Sequence, residues 1–136
     1  MKKLCMILVC ILFVSTLCAC SLSAAEKYFN AITDLDVVTR LEIAFNKVSN
    51  NKGTAYAHAD MQTLQEDLSA IKIPDETTKI INDYYKSAAS FLCQSMQAKN
   101  KKDTQNTAHY LELAVEQYHQ AQRLLNAVRT GSTDDV

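Results

Sequence analysis

Glycine occurs twice in this chain, at Gly53 and Gly131, proline once, at Pro74, and tryptophan not at all. A many-stranded β fold needs Gly, Asn or Pro at most of its hairpins, so this composition argues against one. Cysteine is scarce wherever it could staple a fold. Cys5, Cys10, Cys18 and Cys20 crowd the first 20 residues and only Cys93 lies beyond them, which excludes a disulfide framework in the body. Excess positive charge is missing too. From Cys20 onward 12 Lys plus Arg face 15 Asp plus Glu, a net of −3, and such a balance gives no electrostatic footprint for nucleic acid.

What remains is Ala, Leu, Gln, Lys and Glu, the residues of long helices joined by few loops. The chain has 136 residues, room for one domain after a leader. The leader opens with the cations of Met1-Lys2-Lys3 and then carries no charge from Leu4 to Ala25. Its strongly apolar part, Leu4–Leu17, has the length of a signal core, ~7–15 residues, and falls short of the ~20 of a spanning helix.

Leu17-Cys18-Ala19-Cys20 closes this run. It resembles the lipobox of bacterial lipoproteins, in which a Leu precedes a modified cysteine by three residues and a small residue stands between. Leu17, Ala19 and Cys20 match that pattern, and Cys18 departs from it. The resemblance implies acylation of Cys20, cleavage before it, and attachment to the cell membrane or outer membrane through the lipid. It covers the leader alone. Two alternatives stay open: ordinary signal cleavage after Ala25, giving a secreted protein, and a retained N-terminal anchor. All three place the body outside the cytoplasm, because Lys2 and Lys3 hold the N-terminus inside.

The expected organisation is a leader over residues 1–19, a short tether over 20–25, a helical domain over 26–130 and a disordered acidic tail over 131–136. Ser23-x-x-Glu26 is a capping-box pattern and starts a first helix reaching about Ser49. Its apolar positions are Tyr28, Ala31, Ile32 and Leu35, then Val38, Leu41, Phe45 and Val48. The second set is rotated relative to the first, which leaves room for a kink near Thr33–Asp36. Asn50–Gly53 forms a loop. The second helix, about Thr54–Lys72, has the seam Ala57, Met61, Leu64, Leu68, Ile71, with the 4,3,4,3 spacing of a left-handed bundle. Pro74, Asp75 and Glu76 suit a new N-terminus. The third helix carries Ile80, Ile81, Tyr84, Tyr85, Ala88, Phe91, Leu92 and Met96.

The polar run over residues 99–106 reads as a loop, with Asp103 or Thr104 capping a fourth helix that presents Tyr110, Leu111, Ala114, Tyr118, Ala121, Leu125 and Val128. One continuous helix through 99–106 is the alternative. Matched helix lengths and short loops predict an all-α fold, an up-down-up-down four-helix bundle.

Motifs for chemistry are thin. Glu116-Gln117-Tyr118-His119 has the Glu-x-x-His form used in carboxylate di-iron bundles. A second such motif is not evident, and Glu112, Glu116, His119 and Arg123 cluster opposite the apolar stripe, as in any amphipathic helix. His58 and Asp60 are two apart and diverge, whereas a metal pair on one helix wants a spacing of three or four. There is no Gly-rich phosphate loop and no Cys-x-x-Cys pair. No catalytic residue, metal ligand or cofactor is therefore expected. Tyr56 stands off its helix's seam and is the candidate interaction residue. The expected function is a lipid-anchored, extracytoplasmic interaction or structural module of the envelope, with a protein partner. The alternative is a small-ligand-binding or sensing bundle with a tyrosine-lined interior.

Overall fold

The computed structural model describes residues 23–73 and 75–131. The leader, including Cys20, and residues 132–136 lie outside the described residues, as does Pro74. Among the described residues the fold is all-helical, with five helices: α1 Ala24–Asp34, α2 Val37–Asn50, α3 Thr54–Ala70, α4 Glu76–Asn100 and α5 Thr104–Thr130.

Helix α1 begins with the capping box. Ser23 Oγ accepts the Glu26 N–H at 3.2 Å, and the Glu26 carboxylate accepts the Ser23 N–H at 2.6 Å. The helix thus starts inside the segment expected as a tether. The expected single first helix is two, which corrects the count of four. Leu35 closes α1, and Asp36 takes the left-handed conformation at φ 50° before α2 starts. The reason is phase. At ~100° per residue, Val37 and Leu41 in an unbroken helix would fall about 140° and 180° around from Ile32. The turn at Leu35–Asp36 re-aims the chain, and Ile32, Val37, Leu41 and Val48 all become buried.

Asn51, at φ 56°, caps α2, and Gly53, at φ +66°, leads into α3. The glycine is thus the N-cap of α3, while Asn51 takes the C-terminal cap of α2. The α3 seam is buried at Ala57, Met61, Leu64 and Leu68. Ile71 is extended and ends the helix before the expected Lys72. Asp75 then caps α4 by accepting the Thr78 N–H at 2.8 Å.

A three-residue link separates α4 from α5, so the helix is not continuous across residues 99–106. Lys102 adopts φ 60°, the Asp103 N–H bonds Ala98 O and the Lys102 N–H bonds Lys99 O. That pair of bonds is a Schellman motif with lysine at the left-handed position usually given to glycine. Asp103 accepts the Asn106 N–H at 3.0 Å and starts α5.

Helices α3, α4 and α5 make successive antiparallel pairs. Between α3 and α4 the contacts run from His58–Gln97 to Leu68–Asn82. Between α4 and α5 they run from Ser95–Thr107 to Tyr85–Gln122. Helix α4 is central, with Ile81, Tyr85, Ala88, Leu92 and Met96 fully buried. Small residues, Ala88 and Ala89 on α4 and Ala114 and Ala121 on α5, are fully buried. Ile80, expected among the inward positions, is 41% exposed. It lies ~140° around the helix from the fully buried Tyr85, on the far side from the packed face.

Candidate functional site

Tyr56 projects from the first turn of α3 and is 88% exposed, the most exposed large apolar side chain described. Its neighbour Ala57 faces the core, which fixes Tyr56 outward. The other tyrosines differ. Tyr28 and Tyr85 are fully buried. Tyr28 Oη donates to Asn82 Oδ1 at 3.5 Å, and Gln122 donates to Tyr85 Oη at 2.9 Å. Burial raises the pKa of both hydroxyls. Tyr118 lies across from α2, its ring edge-on to Phe45 at 5.6 Å and its hydroxyl donating to Glu42 at 3.0 Å. Burial, then the Glu42 carboxylate, push it up to about 12. These rings are packing elements with occupied hydroxyls.

Glu112, Glu116, His119 and Arg123 are all exposed. His58 turns toward α4, with its Nε2 3.2 Å from the Gln97 amide. Asp60 turns toward α2 instead. Among the described residues no three His, Cys, Asp or Glu side chains gather in a way that could hold a metal ion.

Two polar features had no sequence signal strong enough to find them. Arg40 on α2 forks onto α3: Nε and Nη2 reach Asp60 Oδ1 at 3.0 and 2.8 Å, and Nη1 reaches Asp67 Oδ2 at 3.0 Å. The partners lie 20 and 27 residues away, beyond any local spacing rule. Asn82, buried at 4% exposure, donates to Leu68 O at 3.0 Å while accepting from Tyr28. An asparagine beside Ile81 in an apolar stripe was the one available hint.

Among the described residues, open grooves run between helices. One of about 360 Å³ lies among Ala31, Asp34, Leu35, Asp67, Ala70 and Ile71. A second, about 320 Å³, follows the α1–α2 break against α5, with Asp36, Gln122 and Arg129 on its walls. The third, about 210 Å³, is polar and sits at the α4–α5 turn between Gln94, Gln97, Lys101, Asp103, Asn106 and Tyr110. Tyr28 and Tyr85 line none of these three. No helix among the described residues is long and apolar enough to cross a membrane. Compared with protein-family models, with curated proteins and with solved structures, the chain has no match.

Proposed function

We propose that the chain is a lipid-anchored, extracytoplasmic module of a bacterial envelope, attached through acyl groups on Cys20, and that it serves protein interaction or structure rather than catalysis. The observation that carries this reading is the capping box at Ser23. It begins rigid helix three residues after Cys20, so cleavage at the lipobox leaves the cap whole. Cleavage after Ala25 would delete Ser23 and leave α1 without its N-cap, a loss of ~1 kcal/mol. An acylated Cys20 would hold the domain close against the bilayer.

The architecture we attach to this reading is an up-down-up-down bundle of four legs, with α1 and α2 together as the first. Phe29 near Arg129 and Phe45 near Tyr118 set α1 and α2 antiparallel to α5, which supports it. The packed tyrosines, with their hydroxyls occupied, favour a solid interior over a tyrosine-lined ligand cavity. Tyr56 is the contact residue this reading assigns to a partner.

Mass spectrometry of the mature chain tests the anchoring. The expected product begins at Cys20 and carries acyl chains, two of which give stable attachment where one is marginal. A mature chain beginning at Glu26 would overturn the assignment. Photo-crosslinking in intact cells from position 56, compared with position 116, tests the partner: a discrete adduct from position 56 alone is expected.

A further inference from the structure

The two ends of the helical body differ in charge. At one end lie the last turn of α2, the link to α3, the last turn of α4, the link to α5 and the first turn of α5. Lys99 Nζ donates to Val48 O, tying the C-terminus of α4 to that of α2. The His58–Gln97 contact ties in the start of α3, and Ser95 Oγ donating to Thr107 O ties in α5. This end holds Lys47, Lys52, Lys99, Lys101 and Lys102 against a single carboxylate, Asp103. Asp103 is already committed to the amide groups of Asn106, at 3.0 and 2.6 Å. Four of the lysines are exposed, and Tyr56 stands among these elements.

The opposite end is not basic. Glu26, Asp34, Asp36, Asp67, Asp75, Glu76 and Asp83 stand there with Lys27, Lys72, Lys79 and Arg129. The basic end is therefore a local feature of a chain whose body is net negative, and it concentrates a field that the whole-chain charge conceals.

We infer that the lysine-rich end docks an anionic polysaccharide. Three observations choose this partner. The cations are all lysines, point charges that suit a polyanion, whereas lysine is depleted in the cores of protein interfaces. Among the described residues, the groove at the α4–α5 turn is a polar one. Its walls of Gln94, Gln97, Lys101, Asp103, Asn106 and Tyr110 set amide donors and acceptors, a phenol, an ammonium and a carboxylate already bonded to Asn106 around one shallow recess, a mixture that matches the hydroxyls and acidic group of a sugar unit. At about 210 Å³ it is smaller than the ~300–1,000 Å³ of pockets that enclose a drug-sized molecule, and it takes one unit of a longer strand. Resting on the proposed anchoring at Cys20, this end points away from the membrane, because α1 starts at the other end. The 25-residue α4 spans ~38 Å, so the module bridges lipid at one end and glycan at the other.

The test uses the full chain in nonionic detergent and four probes: polygalacturonate as carboxylate polysaccharide, dextran as neutral polysaccharide, polyglutamate as acidic peptide, and phosphatidylglycerol vesicles. Polygalacturonate should bind, more weakly as salt is raised, and more tightly than the other three. Replacing Lys47, Lys52, Lys101 and Lys102 together by Gln should weaken it at least roughly tenfold, as expected for four exposed ion pairs lost at once. Lys99 is left intact for its bond to Val48. Replacing Lys27, Lys72 and Lys79 by Gln at the far end should change nothing. Thermal melts of both variants should match the parent, which separates binding from folding. Gln94→Ala with Asn106→Ala should lower polygalacturonate affinity and leave any residual polyglutamate binding unchanged. Equal or tighter binding of polyglutamate would overturn the proposal in favour of an acidic protein, and preference for the vesicles in favour of a membrane. Retention of dextran as strong as that of polygalacturonate, or no binding at all, would also sink it. The acylation state of Cys20, read on the same sample, reports on the anchoring separately.

Discussion

Asn82 of α4 donates its side-chain amide to the backbone carbonyl of Leu68 on α3 at 3.0 Å. Leu68 lies in the last turn of α3, where carbonyls have no partner within the helix. One buried side chain thereby closes a helix end and, through its own oxygen, accepts from Tyr28 of α1. Three helices meet on it. Asn82→Leu removes both bonds and leaves a buried hydroxyl and a buried carbonyl without partners. The expected loss is ~2–4 kcal/mol, measured by urea denaturation. A variant as stable as the parent would mean that water satisfies both groups.

Leu68 and Tyr56 should separate stability from recognition. Leu68 is 0% exposed and Tyr56 is 88% exposed. Leu68→Ala leaves a cavity and should cost ~2–5 kcal/mol, while Tyr56→Ala should stay within about 0.5 kcal/mol. Thermal melts of the two variants check this directly. Equal melting points would remove α3 from the core.

The Arg40 fork should not accept lysine. Its planar guanidinium reaches Asp60 and Asp67 at once, and an ammonium cannot reproduce that geometry. The carboxylates are partly exposed, at 44% and 34%, so solvent screening trims the effect to ~1–2 kcal/mol for Arg40→Ala. Arg40→Lys should recover less than half of it. Urea midpoints of the pair, at low and high salt, provide the comparison.

Alkaline pH should destabilise the fold. Burial pushes the Cys93 thiol up from 9.0 to about 11, with the Gln65 amide opposing slightly. Because the folded value is the higher one, the unfolded chain ionises first. Stability is then intact below about pH 9 and declines as pH rises toward about 11. Cys93→Ala should delay that decline until the buried tyrosines titrate. Melting temperature against pH for the two proteins tests this, and identical curves would assign the alkaline loss to tyrosine alone. The same burial makes Cys93 slow to react with thiol reagents at neutral pH, since the thiolate is the nucleophile.

His119→Ala should leave both stability and metal content unchanged, because His119 and Glu116 are exposed and surface changes of this kind stay within about 0.5 kcal/mol. Elemental analysis and a thermal melt suffice. Stoichiometric iron or zinc, lost on substitution, would contradict it.

Local features of this protein are written in short stretches of its sequence. Helix starts at Ser23 and Asp103 were legible because a cap is a contract between residues three apart; the first turn of α4, expected to include Pro74, begins after Asp75, which is the N-cap. The seam of α3 was legible because a 4,3 spacing points every fourth or third side chain the same way. The solvated side of α5 followed from the same geometry. Tertiary structure alone decided the rest. Val37 rather than Val38 faces inward because the break at Leu35–Asp36 re-phases α2 against helices far along the chain. Ile80 is exposed because the face of α4 that packs against its neighbours centres near Tyr85, ~140° around the helix from it. Asn82 could be buried only because α3 ends where its amide can reach, and Arg40 could be held only where two carboxylates from another helix converge. The gathering of five lysines at one end has the same origin: lysines at 47 and 52 and at 99, 101 and 102 are distant in sequence, and antiparallel packing brings them together. Sequence spacing encodes neighbours within a turn of helix, whereas contacts across helices depend on how whole faces meet.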